Sequence, residues 1–496
     1  MAKGHAETHQ KSSNQDQDGF LSINNERFFK ISNIDSMPPF FMNIVSDSDF
    51  WLFTTSTCGI TAGRANAEKA IFPYMTNDKL HDSVGISGPL TILRFKEKKK
   101  DSPLLWQPLH PILDNQFKIT RNIYKNITGN KVIFEEINNS LQISFTMSLT
   151  SCDRFGLVRS VEITNHSKRP MTFDILDGLL NILPAGMSLG VQTNSSTLGD
   201  AYKWSEKIGR TSLAVFIMNS ALTDRAEPKE SLSATIAWNS GLDGDILLSS
   251  KQIGSFRKGE EIVQEKISKG TRGCYLVTST LKLKPKQSSS WYIMADTGLN
   301  QSQIATLLNV IKKEKRLPSV INDACIQARK NLEKTISSAD ALQTTGNEMA
   351  SAHHFANVLF NCMRGGAILD NYMISRDDFR KFITTRNRPC ASRQASWINN
   401  LPEKINRNEL VSLARTSGDT HLIRLTLEYL PIAFSRRHGD PSRPWNKFNI
   451  RLRDPDGGMA LNYEGNWRDI FQNWEALFVS FPSYFENAIA KFVNAM

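Results

Sequence analysis

Residues 463 to 477 read YEGNWRDIFQNWEAL, setting Trp467 and Trp474 among Arg468, Asp469, Gln472, Asn473 and Glu475. If a helix starts at Gly465-Asn466, Trp467, Phe471 and Trp474 fall at i, i+4 and i+7 on one aromatic face, ordinarily a core face. Arg468, Asp469, Gln472 and Asn473 form a second stripe, in which Asp469 and Asn473, like Arg468 and Gln472, stand one helical turn apart. With Asn466 as N-cap, Asp469 occupies the third helical position, where a carboxylate reaches back to cap the first turn. On spacing alone this structural reading takes precedence. A cap explains neither the arginine nor the amides one turn later, whereas planar donors and acceptors beside aromatic rings match the hydroxyl edges and apolar faces of a sugar. Trp467, Arg468, Asp469, Gln472 and Asn473 are therefore candidate saccharide-binding residues.

The chain that must position them has 496 residues, too many for one core, since cores stop growing at roughly 250 to 300 residues. From about residue 20 to residue 300 the dominant period is two, the spacing of half-buried strands. In LQISFTMSLT, Leu141, Ile143, Phe145, Met147 and Leu149 alternate with polar residues, as in an antiparallel sheet with one wet face. VRSVEITNHSKRPMTFDIL predicts a hairpin, with strands around Val161 and Ile163 and around Phe173 and Ile175 flanking the turn residues Asn165 to Pro170. LKLKPKQSSSWYIMADTG repeats the device, SLAVFIMN and SATIAW add strands, and no βαβ rhythm occurs. The expected organisation is a disordered leader over 1–20, a large antiparallel β-sandwich of two stacked sheets over 21–298, linker helices over 299–345 and a helical unit over 346–496.

In the helical part, Phe355, Val358, Leu359 and Cys362 share a face and Gly365-Gly366 marks a stop. The segment from Ser417 to Arg437 takes an Asp419 or Thr420 cap and is apolar enough to be buried on most sides. It runs into SRRHGDPSRPWNKFNIRLRDPDGG, a basic loop rich in Pro and Gly, and long loops in compact domains are often functional.

Composition excludes several classes. The formal charge is +11, but the basic runs KEKKK (96–100) and KKEKR (312–316) are short, far apart and free of aromatics, so they predict turns or helix ends rather than a nucleic-acid surface. Six cysteines without CxxC spacing suit reduced packing thiols. No apolar run approaches the roughly 20 residues of a bilayer span, and the polar N-terminus lacks a secretory core, so a cytoplasmic protein without membrane partners is expected. His353 and His354 are adjacent and splay apart on a helix, and HExxH and GxxxxGK[ST] are both missing, which argues against metal and nucleotide chemistry; serine-esterase chemistry is not expected either.

A β-rich N-terminal unit, linker helices and a helical unit containing NWRDIFQNWEAL resemble the cellobiose phosphorylase family and its relatives among glycoside hydrolases and phosphorylases. The resemblance implies a super-sandwich followed by an (α/α)6 barrel, whose early RDxxQD motif holds the sugar being cleaved. Arg468, Asp469 and Gln472 match that motif, and Asn473 replaces its final Asp. STCGITAGRANAEKAIFPYMTNDKLHD (56–82) is similar to an N-terminal segment of the same relatives, without a role for Arg64 or Asp78 beyond a loop reaching the barrel mouth.

Implied with this is phosphorolysis or hydrolysis of a β-linked gluco-oligosaccharide with inversion, which needs a protonated acid at the leaving oxygen and either phosphate or a base-activated water on the opposite face. Phosphate as co-substrate needs a cationic cradle, for which Arg436, Arg437, His438 and Arg443 are candidates, with Trp445 free to stack on a sugar ring. Pairing of these arginines with Asp440 and Asp454 stands as an equal alternative. No other cofactor is expected. A non-catalytic carbohydrate-binding or assembly protein is the rival reading.

A full barrel takes well over roughly 200 residues, at about 11 to 12 per helix plus connections. About 150 follow residue 345, and no GDWND-like motif appears among them. The general acid is therefore expected beyond residue 496, and the chain is expected to be the family's N-terminal part, inactive alone. A homodimer or a complementary C-terminal half is the expected protein partner, and an oligosaccharide the expected ligand.

Overall fold

Alternation of apolar and polar side chains sorts the N-terminal strands into antiparallel sheets that share one core. The computed structural model describes residues 18–494 apart from 97–102, 111–115, 221–231, 436–447, 455–457, 462 and 464–466, and for 467–469 it describes the backbone alone. Among the described residues one sheet has eleven strands and a second has five. The centre of the large sheet is a meander of Ile119–Asn126, Lys131–Asn138, Ile143–Cys152 and Gly156–Asn165, which Ser288–Leu299 and Ala234–Ser240 extend on one side. The small sheet is centred on Met171–Ile182, between Gly273–Leu283 and Gly88–Phe95. Ile143, Phe145, Met147 and Leu149 point between the sheets, as their period predicts, and meet Leu93, Ile175, Leu179 and Val277 of the small sheet.

The two predicted hairpins are instead corners that pass the chain from one sheet to the other. Gly156–Asn165 pairs within the large sheet, while Met171–Ile182 pairs with Gly273–Leu283 and Gly88–Phe95 in the small one. Gly273–Leu283 and Ser288–Leu299 part in the same way. The corners lie against each other and are tied by Asn165, whose Nδ2 donates to Arg169 O at 2.8 Å and to Leu283 O and Lys284 O at 3.2 Å. With the turn's polar groups satisfied by Asn165 and the neighbouring corner, its flanking strands need not pair with one another. A strand–turn–strand signal is common to both outcomes.

Two polar links cross the sandwich. Arg159 of the large sheet and Asp177 of the small one are both fully buried, with Nη1–Oδ2 and Nη2–Oδ1 distances of 2.8 and 2.7 Å. Thr91 Oγ1 donates to Asp177 Oδ1 at 2.6 Å, and Trp291 Nε1 donates to Oδ2 at 2.7 Å. In the second link, Glu136 Oε1 accepts from Trp106 Nε1 at 2.7 Å and its Oε2 accepts from Leu109 N and Arg121 Nε at 2.6 and 2.8 Å.

Helices cover what the sheets leave bare. Gln301–Lys313 and Leu317–Ser337, expected as linkers, lie on the outer face of the large sheet, where Leu317, Ile321 and Ala328 pack on Val158, Ile236, Trp238 and Met294. The first of them ends at the exposed Lys312 and Lys313, as the basic run predicts, while residues 97–100 of the other run lie outside the described residues. A three-stranded sheet, Phe41–Ile44, Phe50–Thr55 and Ile60–Arg64, is buried on both faces: Phe50 and Leu52 enter the sandwich core, and Trp51 and Phe53 face the helix Glu348–Gly365. That helix buries Phe355, Leu359 and Cys362 and stops at Gly366 (φ 86°), as predicted. All six cysteines are free thiols, and all but the half-buried Cys325 are buried.

Between residues 369 and 431 the chain makes a separate excursion. Ala367–Ile368 leads out and Ile432–Ala433 leads back, paired antiparallel with each other. Most of what lies between them packs on its own core, which includes Ile374, Phe379, Ile383, Leu410, Leu422 and Tyr429, while Tyr372 and Leu430 pack beside Phe481 and Tyr484. The helix Thr420–Glu428 is capped by Asp419, as expected, and buries Leu422, Leu425 and Thr426 while His421 and Arg424 face solvent. The chain is thus a mixed β and α protein, a large antiparallel sheet domain joined to helices.

Replacing Asp177 by Ala leaves the Arg159 guanidinium and the Trp291 N–H buried without their acceptor. Denaturant unfolding followed by tryptophan fluorescence is expected to show a loss of about 3–5 kcal/mol, most of it recovered in Arg159→Met/Asp177→Leu.

Candidate functional site

The helix Trp467–Ser480 packs against Glu348–Gly365, and a glycine sets how closely. A Cβ on Gly365 would lie 3.0 Å from Asn473 Cβ and 3.1 Å from Asn473 O. Trp474 is buried in this seam and donates its Nε1 to Gly365 O at 2.9 Å. The aromatic face read from the sequence therefore divides: Trp474 is core, whereas Phe471 is 64% exposed and stacks on Phe492, ring centroids 4.7 Å apart. The polar stripe divides too, with Gln472 exposed to solvent and Asn473, 4% exposed, turned into the helix pair. The side chains of Trp467, Arg468 and Asp469 lie outside the described residues. So do Trp445 and the proposed phosphate ligands Arg436, Arg437, His438 and Arg443.

Where the chain returns, the segment after that loop docks on the 56–82 stretch, so the two most distinctive parts of the sequence meet. Ile450 N donates to Ala65 O at 2.7 Å, and Phe448 sets its ring edge-on to Trp51 at 5.6 Å and beside Tyr74 at 5.7 Å. Gly63 lets Trp51 come this close, since a Cβ there would stand 2.6 Å from Trp51 Cζ2. Ala65 holds the left-handed conformation (φ 57°), an uncommon one for a residue with a Cβ. Asp78 is exposed and accepts from the Thr76 hydroxyl, which lowers its pKa.

Beside this junction lies a polar cavity of about 660 Å³ whose lining includes Arg64, Trp238, Phe155, Asp296, Arg451 and Arg453. Its central feature is Arg64. The guanidinium forks onto Asp296 with Nε–Oδ1 and Nη2–Oδ2 distances of 2.6 and 2.8 Å, and Nη1 donates to Asp49 Oδ1 at 2.7 Å. Asp153 adds its backbone oxygen at 2.7 Å and Oδ1 at 3.5 Å. Burial works against the charge on Arg64, but Asp296, Asp49 and Asp153 outweigh it and raise its pKa well above the ordinary value. Trp238 Nε1 is buried with no partner among the described residues. The cavity offers an aromatic wall and many hydrogen-bonding groups, but its three carboxylates are already paired, all with Arg64 and Asp153 also with Arg453 at 3.5 Å, an arrangement for holding and not for transferring protons. No group of His, Cys, Asp and Glu able to hold a metal occurs among the described residues.

Sequence reasoning noticed Arg64 without finding its partners. Asp49, Asp153 and Asp296 stand 15, 89 and 232 residues away, and no local pattern joins them.

Residues 369–431 match the family model described as glycoside hydrolase family 149 insertion domain 1, which links the chain to carbohydrate-active proteins. The matched span falls between the paired strands Ala367–Ile368 and Ile432–Ala433. No curated protein matches the chain. Among solved structures, a bacterial glucoamylase complexed with acarbose aligns at 9% identity and a TM-score of 0.38, over 83% of this chain and 60% of that one. A protein described as a kojibiose phosphorylase from the human microbiome aligns at 12% identity and a TM-score of 0.31, over 92% of this chain and 50% of that one. The polysaccharide lyase BACCELL_00875 aligns at 13% identity and a TM-score of 0.29, over 55% and 34%. The chain thus spans less than two thirds of the length of each of these, and TM-scores this low carry no argument about activity. No helix among the described residues is long and apolar enough to cross a membrane.

Gly365→Ala is expected to cost about 1–3 kcal/mol by overpacking the seam. Hydrogen exchange should then speed up in residues 470–480 and leave the sandwich strands unchanged.

Proposed function

We propose that this chain is a carbohydrate-active protein of the glycoside phosphorylase kind, and that Arg468, Asp469 and Gln472 grip a β-linked gluco-oligosaccharide beside Trp467, while Asn473, buried against Gly365, holds the helix in place. The observation that carries this reading is the glycoside hydrolase insertion match at 369–431, whose flanking strands pack through Ile368 and Ile432 on Ile470 and Trp474 of the same helix. The helices Glu348–Gly365 and Trp467–Ser480 are, on this reading, early members of an (α/α)6 barrel interrupted by the insertion.

Inorganic phosphate is the proposed co-substrate, met by Arg436, Arg437, His438 and Arg443, with Trp445 against the sugar; no cofactor is required. The reading assigns no general acid among the described residues, and the carboxylates gathered on Arg64 do not supply one. Hydrolysis on the same scaffold differs only in the attacking group, so the phosphate dependence of turnover separates the two.

Calorimetry of the 496-residue chain with cello-oligosaccharides is expected to show saturable binding, with no phosphate-dependent cleavage by this chain alone. Asp469→Ala and Gln472→Ala are each expected to weaken binding on the order of 10-fold, the scale of one lost hydrogen bond to a charged or well-placed group. Affinity unchanged in both variants would remove the row from the site, and robust phosphorolysis by the wild-type chain would show that the acid lies within it.

A further inference from the structure

A second cavity lies between the helix Glu348–Gly365 and the edge of the large sheet. It measures about 600 Å³, in the range of small-molecule sites, and its walls include Phe29, Ile31, Val45, Leu359, Phe360 and Met363. Both ends are fixed. At one, Arg27 and Glu348 form a two-pronged ion pair of 2.5 and 2.7 Å between strand and helix. At the other, the Gly129 turn comes so near that a Cβ there would stand 3.3 Å from Leu359 Cδ2.

One cation enters this apolar lining. Lys125, on the strand Ile119–Asn126, donates its Nζ to Asn43 O at 3.1 Å, and no carboxylate pairs with it among the described residues. Burial alone brings its pKa down to about 8, the signature of an ammonium without a counter-charge. A lysine so placed is costly unless something anionic joins it. Beyond Lys125, the lining's polar side chains are few, so a polyhydroxyl ligand would find little to bond to, and a single cation matches a single negative charge.

We propose that this groove binds an amphipathic monocarboxylate, with its apolar tail along Phe29, Leu359 and Met363 and its carboxylate on Lys125. The site is independent of the saccharide row and involves none of its residues.

The test uses the full chain, titrated calorimetrically with decanoate below its micellar concentration and with decanol as the neutral counterpart. Decanoate is expected to bind at least 10-fold more tightly than decanol, as a charge-assisted hydrogen bond requires. Lys125→Met should abolish that preference and leave decanol binding intact. Ala356→Trp, at an exposed position on the groove wall, should lose both ligands while circular dichroism stays native. Absence of saturable decanoate binding, or a preference that survives Lys125→Met, overturns the proposal. So does binding that appears only after residues 2–17 are removed, or a wild-type dimer that Ala356→Trp dissociates, since either assigns the groove to another occupant.

Discussion

The guanidinium of Arg159 and the carboxylate of Asp177 face each other in the apolar layer between two sheets, out of reach of water. Each would be prohibitively expensive there alone, so the sheets can stack only in the register that brings the pair together and supplies the Thr91 hydroxyl and the Trp291 indole to the remaining lone pairs. Glu136 acts in the same manner toward Trp106. Burial pushes its carboxyl pKa up, against the opposing pull of Arg121 and its N–H donors. Apolar contacts such as Phe145 or Ile175 tolerate small slides between sheets; two hydrogen-bonded carboxylates do not. Once the stacking is set, the outer face of the large sheet presents Val158, Ile236 and Trp238 to the helices that cover it.

From that covered sandwich the chain reaches its helical part through the three-stranded sheet, whose alternate residues belong to two cores. Phe50 and Leu52 join the sandwich, while Trp51 and Phe53 join the cluster that holds Phe355, Leu359 and Phe448. The sheet therefore transmits the sandwich's position to the helix Glu348–Gly365 and, through the Gly365 contact, to the candidate saccharide helix. The excursion over 369–431 does not disturb this path, because its entry and exit strands pair and most of its apolar side chains form a core of their own. It is nonetheless anchored. Asn487 of the last helix accepts from Arg407 Nε at 3.0 Å and donates to Tyr429 O at 2.8 Å.

The polar cavity at Arg64 and the apolar groove at Lys125 lie at two boundaries between sheet and helix, where packing of flat and cylindrical surfaces leaves gaps. Their chemistry is opposite. Arg64 is surrounded by three carboxylates, one of them shared with Arg453, whereas Lys125 has none among the described residues. The first is a clasp joining the three-stranded sheet to the large one; the second is a charge awaiting a partner.

Period and capping were readable from residues alone, because both are local. The strand over Ile143–Cys152, the cap at Asp419 and the stop at Gly366 depend on neighbours within a few positions. The likeness to carbohydrate-active families was legible in NWRDIFQNWEAL as a resemblance, and the matched insertion beside it came from a stretch the sequence reading left inside one helical unit. Which strands pair was not legible, since the turns at Asn165–Pro170 and Pro285–Gln287 carry the same signal whether they close a hairpin or turn a corner. Nor could spacing reveal that Gln472 faces water and Asn473 faces Gly365, because that depends on which neighbour the helix meets. Sequence determined the elements and the candidate chemistry; tertiary structure alone decided the partners of Arg64, Asp177 and Lys125, because charge pairing acts across space between residues that no local rule connects.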